Sequence, residues 1–290
     1  MKEVYMIIDV ARCIDCNNCF LACKDEFVDN EWPPYTVPQP RHGHRWMNIM
    51  RKERGQYPMI DVAYLPTPCM HCEDPDCIKS AENGAIYKRE DGIVIIDPAK
   101  AKGQKAIVDS CPYGAIYWNE ELDLPQKCTF CAHLLDDGWT EPRCVQSCGP
   151  GAMKFLYVDD AEMEQIVARE KLAVLHPEYN LGPRVYYKNL TQYTHCFIGG
   201  SIAVEVNGIA DCVEGARVTL FKGSDKVDEV LSDNFGDFKF DNIKEKSGSY
   251  RLEIVYPDYE TKALGVDLKT SVNVGTIWLG GPEHGVVNHK

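Results

Sequence analysis

The chain has 290 residues, 44% of them hydrophobic and 26% charged, enough for two domains and a sizeable core. Its formal net charge of −13 argues against nucleic-acid or anionic-membrane partners, both of which select a basic face, and fits docking on a complementary protein surface. No apolar run reaches the roughly eighteen residues of a membrane span, so none is expected.

In chain order, Met1 to Val10 lacks the long apolar stretch and cleavage site of a signal peptide and reads as a strand. With no export signal, a cytoplasmic location is expected. A cysteine-rich region follows, and within it Tyr87 to Ile96 reads as a hairpin turning at Asp91-Gly92. That region ends near Tyr157. A short helix is expected over Asp159 to Arg169, then a loop rich in Pro and Asn to about Gly200. From Ser201 the texture becomes alternating: runs at 202–206, 216–220 and 250–255 are separated by Asn207-Gly208, Gly223-Ser224 and Asp233–Gly236 turns. Short strands at about ten-residue spacing indicate a small antiparallel β-sandwich. The expected fold class is therefore α+β. Residues 1–158 form the metal-binding domain, 159–200 a linker and docking segment, and 201–290 the sandwich.

Fourteen cysteines admit disulfides, zinc or iron–sulfur clusters. A chain without an export signal meets a reducing compartment, which disfavours disulfides. Spacing separates the other two. Cys13-x2-Cys16-x2-Cys19-x3-Cys23 is the bacterial ferredoxin run without its trailing proline, whereas tetrahedral zinc sites use two well-separated pairs. The second run is Cys69-x2-Cys72-x4-Cys77, with Ala81 in its fourth slot. The third keeps only Cys111, its earlier slots being Ala101, Gln104 and Ile107. The fourth is Cys128-x2-Cys131, an insertion, then Cys144-x3-Cys148.

In two-cluster ferredoxins the last cysteine of a run ligates the other run's cluster. Pairing the first run with the fourth gives Cys13, Cys16, Cys19 with Cys148, and Cys128, Cys131, Cys144 with Cys23. Pairing the second with the third gives Cys69, Cys72, Cys77 with Cys111. The mate of that last set would need Ala101, Gln104, Ile107 and Ala81, so one cluster site has been removed entirely. The expectation is three [4Fe–4S] clusters in tandem ferredoxin-like units. An internal repeat accompanies them: Gly-Ala follows three residues after Cys111, Cys148 and Ala81 alike.

Other polar residues have plainer readings. His42, His44, Arg45 and Trp46 suit a polar loop as well as a partner contact. His71 and His133 sit inside cysteine runs, where an imidazole can donate to cluster sulfur. Arg51-Lys52-Glu53-Arg54 reads as a solvated strand end, and Cys196 and Cys212 as buried thiols. No nucleotide loop, nucleophile–base set or zinc-peptidase motif is present, so no catalytic residue is expected in this chain.

Several segments carry a family resemblance: Cys16–Phe20, Asn30–Pro33, Gly43–Ile49, Pro66–Glu73, Cys111–Gly114, Gln126–Thr129, Cys131–Asp137 and Pro183–Leu190. With the four-run layout they resemble the iron–sulfur subunits of the molybdenum/tungsten oxidoreductases of the dimethyl sulfoxide reductase family, most of which hold four clusters. The missing site narrows the likeness to small subunits of phenol transhydroxylases, and the C-terminal domain is similar to the carboxypeptidase-regulatory or Cna-B type. The resemblance implies a large partner subunit carrying a Mo or W bis-pterin guanine dinucleotide, and a hydroxylated aromatic substrate for transhydroxylation or hydroxylation. The alternatives are the iron–sulfur subunit of a respiratory Mo/W reductase or dehydrogenase, and a stand-alone multicluster ferredoxin.

Overall fold

The computed structural model describes residues 2–280. Met1 of the expected first strand, and 281–290 of the expected sandwich, lie outside the described residues. Strands dominate, and among the described residues only the helices Asn18–Phe27 and Asp160–Glu170 exceed two turns. The chain divides into two compact units, Met1–Arg51 with Tyr64–Leu190, and Lys52–Ala63 with Thr191–Lys290.

In the first unit the near-continuous apolar segment Glu3–Asp9 is the central strand of three, antiparallel to Met153–Val158 and parallel to Val185–Lys188. A strand flanked on both sides and buried along its length requires such composition. Tyr5 and Ile7 pack with Val158 against Met163 and Ile166 of the helix Asp160–Glu170. That helix is started by Asp159, whose carboxylate accepts the Glu162 N–H at 2.9 Å. The segment expected as a linker over 159–200 is thus divided. Its helix and the strand Val185–Lys188 build the first unit, because Val185 and Tyr187 bury fully in the sheet. The strand His195–Val206 opens the second unit.

Two small hairpins, Ile86–Lys88 with Val94–Ile96 and Tyr117–Asn119 with Leu124–Gln126, brace the cysteine loops. The first turns at Asp91-Gly92. Gly92 adopts φ +84°, and a Cβ there would fall 2.1 Å from Arg184 Nε, so only glycine closes this turn.

The second unit holds two four-stranded sheets. One has His195–Val206 at its centre with Ile209–Cys212, Asp237–Lys244 and Val272–Leu279. The other runs Asp225–Leu231, Arg217–Lys222, Gly248–Val255, Lys262–Leu268. Ile198, Ile202 and Phe240 of the first join Val218, Leu220, Leu252 and Ile254 of the second in one core. The expected all-antiparallel arrangement is corrected at one pairing: Val272–Leu279 runs parallel to His195–Val206, because the last strand returns along the central strand in its own direction. The turn at Asn207-Gly208 has both residues at positive φ, 53° and 78°, as a two-residue hairpin demands.

Two readings of single residues are also corrected. Arg54 is not solvated: it is 3% exposed, ion-paired with Asp61 and, at 3.0 Å, with Asp241. Cys212 is exposed, whereas Cys196 is buried. Leu252 is fully buried in the shared core and Val227 is 50% exposed on an outer strand. Leu252→Ala is expected to cost about 2–5 kcal/mol and Val227→Ala within about 0.5 kcal/mol, read by urea denaturation of the intact chain.

Candidate metal centre

The helix Asn18–Phe27 carries Cys19 and Cys23 four residues apart, on one buried face. It packs on the short helix Arg143–Gln146, which carries Cys144. None of the fourteen thiols is in a disulfide. Among the described residues no three Cys, His, Asp or Glu side chains converge on a single-ion point.

Mutual electrostatics sort the thiols into neighbourhoods. Burial raises Cys13 and pushes Cys19 up to about 12, with Cys148 and Cys16 adding to both. Burial raises Cys23, reinforced by Cys128, and lifts Cys131 and Cys144 well above the ordinary thiol value, with Cys23 and Cys128 acting on each. Cys72 is raised by burial and then by Cys69, Cys111 and Cys77, and these four thiols line one cavity. Cys69, Cys72, Cys77 and Cys111 thus share a cavity, while electrostatic influence links Cys13, Cys16, Cys19 and Cys148 on one hand and Cys23, Cys128, Cys131 and Cys144 on the other. Two links cross between neighbourhoods, Cys19 to Cys144 and Cys69 to Cys128, so the second group adjoins both others.

The local backbone is shaped to the sulfurs. In three of the four Cys-x-x-Cys turns, those opening at Cys13, Cys69 and Cys128, the residue two beyond the first cysteine has positive φ: Asp15 at 56°, His71 at 44° and Phe130 at 51°. That conformation points its N–H at the preceding sulfur. The contacts are His71 N–H to Cys69 Sγ at 3.5 Å and Phe130 N–H to Cys128 Sγ at 3.4 Å, and the Asp15 N–H favours ionisation of Cys13. The Gly-Ala repeat performs the same service from the other side. Gly114 and Gly151 sit at φ 61° and 60°, the Ala152 N–H donates to Cys148 Sγ at 3.2 Å, and the Ala115 N–H favours the thiolate of Cys111. Sequence spacing held this signal as an unexplained repeat.

At the third copy, where Ala81 replaces a cysteine, Gly84 keeps φ 64° but the Ala85 N–H turns to Glu82 O at 2.9 Å. The other three vacated slots are also refilled. Ala101 and Ile107 are fully buried in an apolar cluster against which Ala81 packs. Gln104 accepts from the Glu82 N–H at 2.8 Å and donates to Lys100 O at 2.7 Å.

The histidines differ in their partners. His71 is fully buried, burial holding its pKa well below the usual imidazole value, and its Nδ1 accepts from the Val94 N–H at 3.0 Å. His133 Nε2 meets Glu26 at 2.8 Å, with its ring stacked on Trp32. His44 is buried against Trp118 O at 2.9 Å, Trp46 is 2% exposed, and His42 alone of that loop's histidines faces solvent. Arg45 lies over the Phe20 ring.

The donor set is all sulfur, buried or half-buried apart from Cys16, and served by backbone N–H groups, which is ferredoxin-type iron–sulfur architecture. The sequence pattern of the 4Fe-4S dicluster domain matches residues 60–158. The chain is 51% identical over 257 residues, 88% of its length and 91% of the relative's, to the pyrogallol hydroxytransferase small subunit of Pelobacter acidigallici. It is 32% identical to a subunit of the tetrathionate reductase of Salmonella typhimurium, over 64% of this chain and 72% of that one. It is 38% identical to a subunit of the perchlorate reductase of Dechloromonas aromatica, over 52% and 45%. The chain belongs to the family of iron–sulfur subunits of dimethyl sulfoxide reductase-type oxidoreductases, in the branch of the pyrogallol hydroxytransferase small subunit.

The refilled slots make a test. Gln104→Ala removes hydrogen bonds at a solvent-accessible edge and should cost about 1 kcal/mol in denaturant unfolding, with bound metal per chain unchanged.

Proposed function

We propose that this chain is the electron-carrying subunit of a heteromeric Mo or W bis-pterin oxidoreductase acting on phenolic aromatics, by transhydroxylation or hydroxylation. Three [4Fe–4S] clusters would be held by Cys13, Cys16, Cys19 and Cys148; by Cys23, Cys128, Cys131 and Cys144; and by Cys69, Cys72, Cys77 and Cys111. The observation that supports this reading is the cavity lined together by Cys69, Cys72, Cys77 and Cys111, the set the spacing argument proposes, in a relative of a hydroxytransferase small subunit. The refilled fourth site supports three clusters rather than four.

Clusters of this type, when bound, supply single-electron carriers whose potentials respond to hydrogen bonds, charge and exposure. The chain's own residues control those variables. N–H groups at Asp15, His71, Phe130, Ala115 and Ala152 stabilise the thiolates. Burial of Cys131 and Cys144 keeps water from the second set. The helix Asn18–Phe27 fixes the first and second sets to one rigid element. Closed four-cysteine sets leave no position for a ring to bind, so the oxygen chemistry belongs to the Mo or W centre of a separate large subunit.

The first set is the one nearest solvent. Cys16 is exposed, and Ile14 and Leu21, near it in the sequence, are 64% and 58% exposed. We assign this apolar patch to the large subunit, which would bring its cofactor within electron-transfer reach. The C-terminal unit, with two sheets about one core, is read as a β-sandwich that docks on or shields the complex. Among the described residues no helix is long and apolar enough to cross a membrane, and a cytoplasmic complex is proposed.

Anaerobically prepared protein should contain about twelve irons and an equal amount of acid-labile sulfide per chain; about sixteen irons would contradict the deleted site, and zinc the whole reading. Cys111→Ser and Cys148→Ser should each abolish a different EPR signal of the reduced protein. Ile14→Glu with Leu21→Glu should weaken co-purification of the large subunit on the order of tenfold, about 1.4 kcal/mol, at unchanged iron content. The iron-loaded chain alone should turn over neither pyrogallol nor resorcinol; turnover comparable to the complex would remove the subunit assignment.

A further inference from the structure

Lys127 is a lysine in an unusual place. It is 2% exposed, and its ammonium donates to two carbonyls, Val94 O and, at 3.1 Å, Cys128 O. Among the described residues it takes part in no ion pair. Burying an ammonium with carbonyl partners only is costly unless an opposite charge lies close. What surrounds it is sulfur. Lys127 lines the cavity formed by Cys69, Cys72, Cys77 and Cys111, and it acts electrostatically on Cys72, Cys77 and Cys111 and on Cys128 of the adjoining set.

A second buried group joins it. His71 lines the same cavity. Its Nδ1 accepts from the Val94 N–H, which leaves the proton of the neutral ring on Nε2, and Nε2 has no hydrogen-bond partner. Val94 therefore positions both groups, its N–H holding His71 and its C=O holding Lys127. A buried cation and an unpartnered donor converge on one quartet of thiols, which suits a group that is anionic and rich in sulfur acceptors.

We propose that Lys127 is the built-in counter-ion of the cluster site at Cys69, Cys72, Cys77 and Cys111, and that it raises the reduction potential there, with His71 Nε2–H as an added donor to sulfur. The proposal rests on the cluster reading given above. Reduction adds one negative charge to the site, and a fixed positive charge in a low-dielectric surrounding stabilises the reduced form more than the oxidised one. The assignment makes the third site an electron sink relative to an otherwise identical site without the lysine. Lys127 is a positioning residue of charge, not a ligand.

The test is an EPR-monitored redox titration of the iron-loaded full chain, following the signal that Cys111→Ser abolishes. Lys127→Met should shift the reduction equilibrium of that signal at least tenfold toward the oxidised form, which is about 59 mV for one electron. Lys127→Arg, which keeps the charge, should stay within twofold of the parent. Should the Met variant lose iron, Lys127→Gln keeps a donor for Val94 O without the charge and is expected to show the same downward shift. An unchanged potential in an uncharged variant of full iron content overturns the proposal, as does an equal shift in Lys127→Arg, which would trace the effect to shape. Absence of iron from the parent protein would instead overturn the cluster reading itself, so the two failures are distinct.

Discussion

A thiolate taken out of water must be compensated by hydrogen bonds or by opposite charge. The first unit is organised around that requirement. Left-handed residues at Asp15, His71 and Phe130 turn backbone N–H groups onto the leading cysteine of each turn. Glycines at 114 and 151 aim alanine N–H groups at the closing cysteines. Positive φ at non-glycine residues is disfavoured, and three such residues at equivalent places in three runs have a common cause in the sulfur each one serves. The vacated copy at Ala81 supports the same argument from the opposite side. With no sulfur present, the Ala85 N–H finds the Glu82 carbonyl and the pocket closes with Ala101 and Ile107.

The second requirement is order in space. One helix bears Cys19 and Cys23, which belong to different quartets, and the second quartet adjoins both the first and the third. On the proposed reading this is a series of three sites, open at the first end, where Cys16, Ile14 and Leu21 face solvent, and carrying Lys127 at the third. Such a layout suits moving or storing charge for a centre that docks at the open end. For a transhydroxylation, whose net redox change is zero, storage and poise are the useful properties, and the proposed cationic far site would provide them.

The proposed ligand sets come from the sequence, because ferredoxin runs exchange their last ligand by a fixed rule, and the shared cavity of Cys69, Cys72, Cys77 and Cys111 is the geometry that supports one of them. The first strand, the Asp91-Gly92 turn and the helix near 160 were legible because apolar runs, glycine and an N-cap aspartate act locally. What escaped depends on residues distant in the chain. Val185–Lys188 is a strand only because Glu3–Asp9 lies beside it, so a segment between Pro and Asn residues reads as linker. Arg54 is buried because Asp61 and Asp241 receive it, and a basic tetrapeptide gives no hint of that. His71 holds Val94 with its ring and serves Cys69 with its backbone, a division of labour that residue type does not reveal.

The central claim is that three one-electron sites, and no fourth, reside in this chain. Coulometric reduction of the iron-loaded full chain under anaerobic conditions measures that number directly. The account predicts uptake of about three electrons per chain, one for each four-iron site. Uptake of four, or of none, would contradict it.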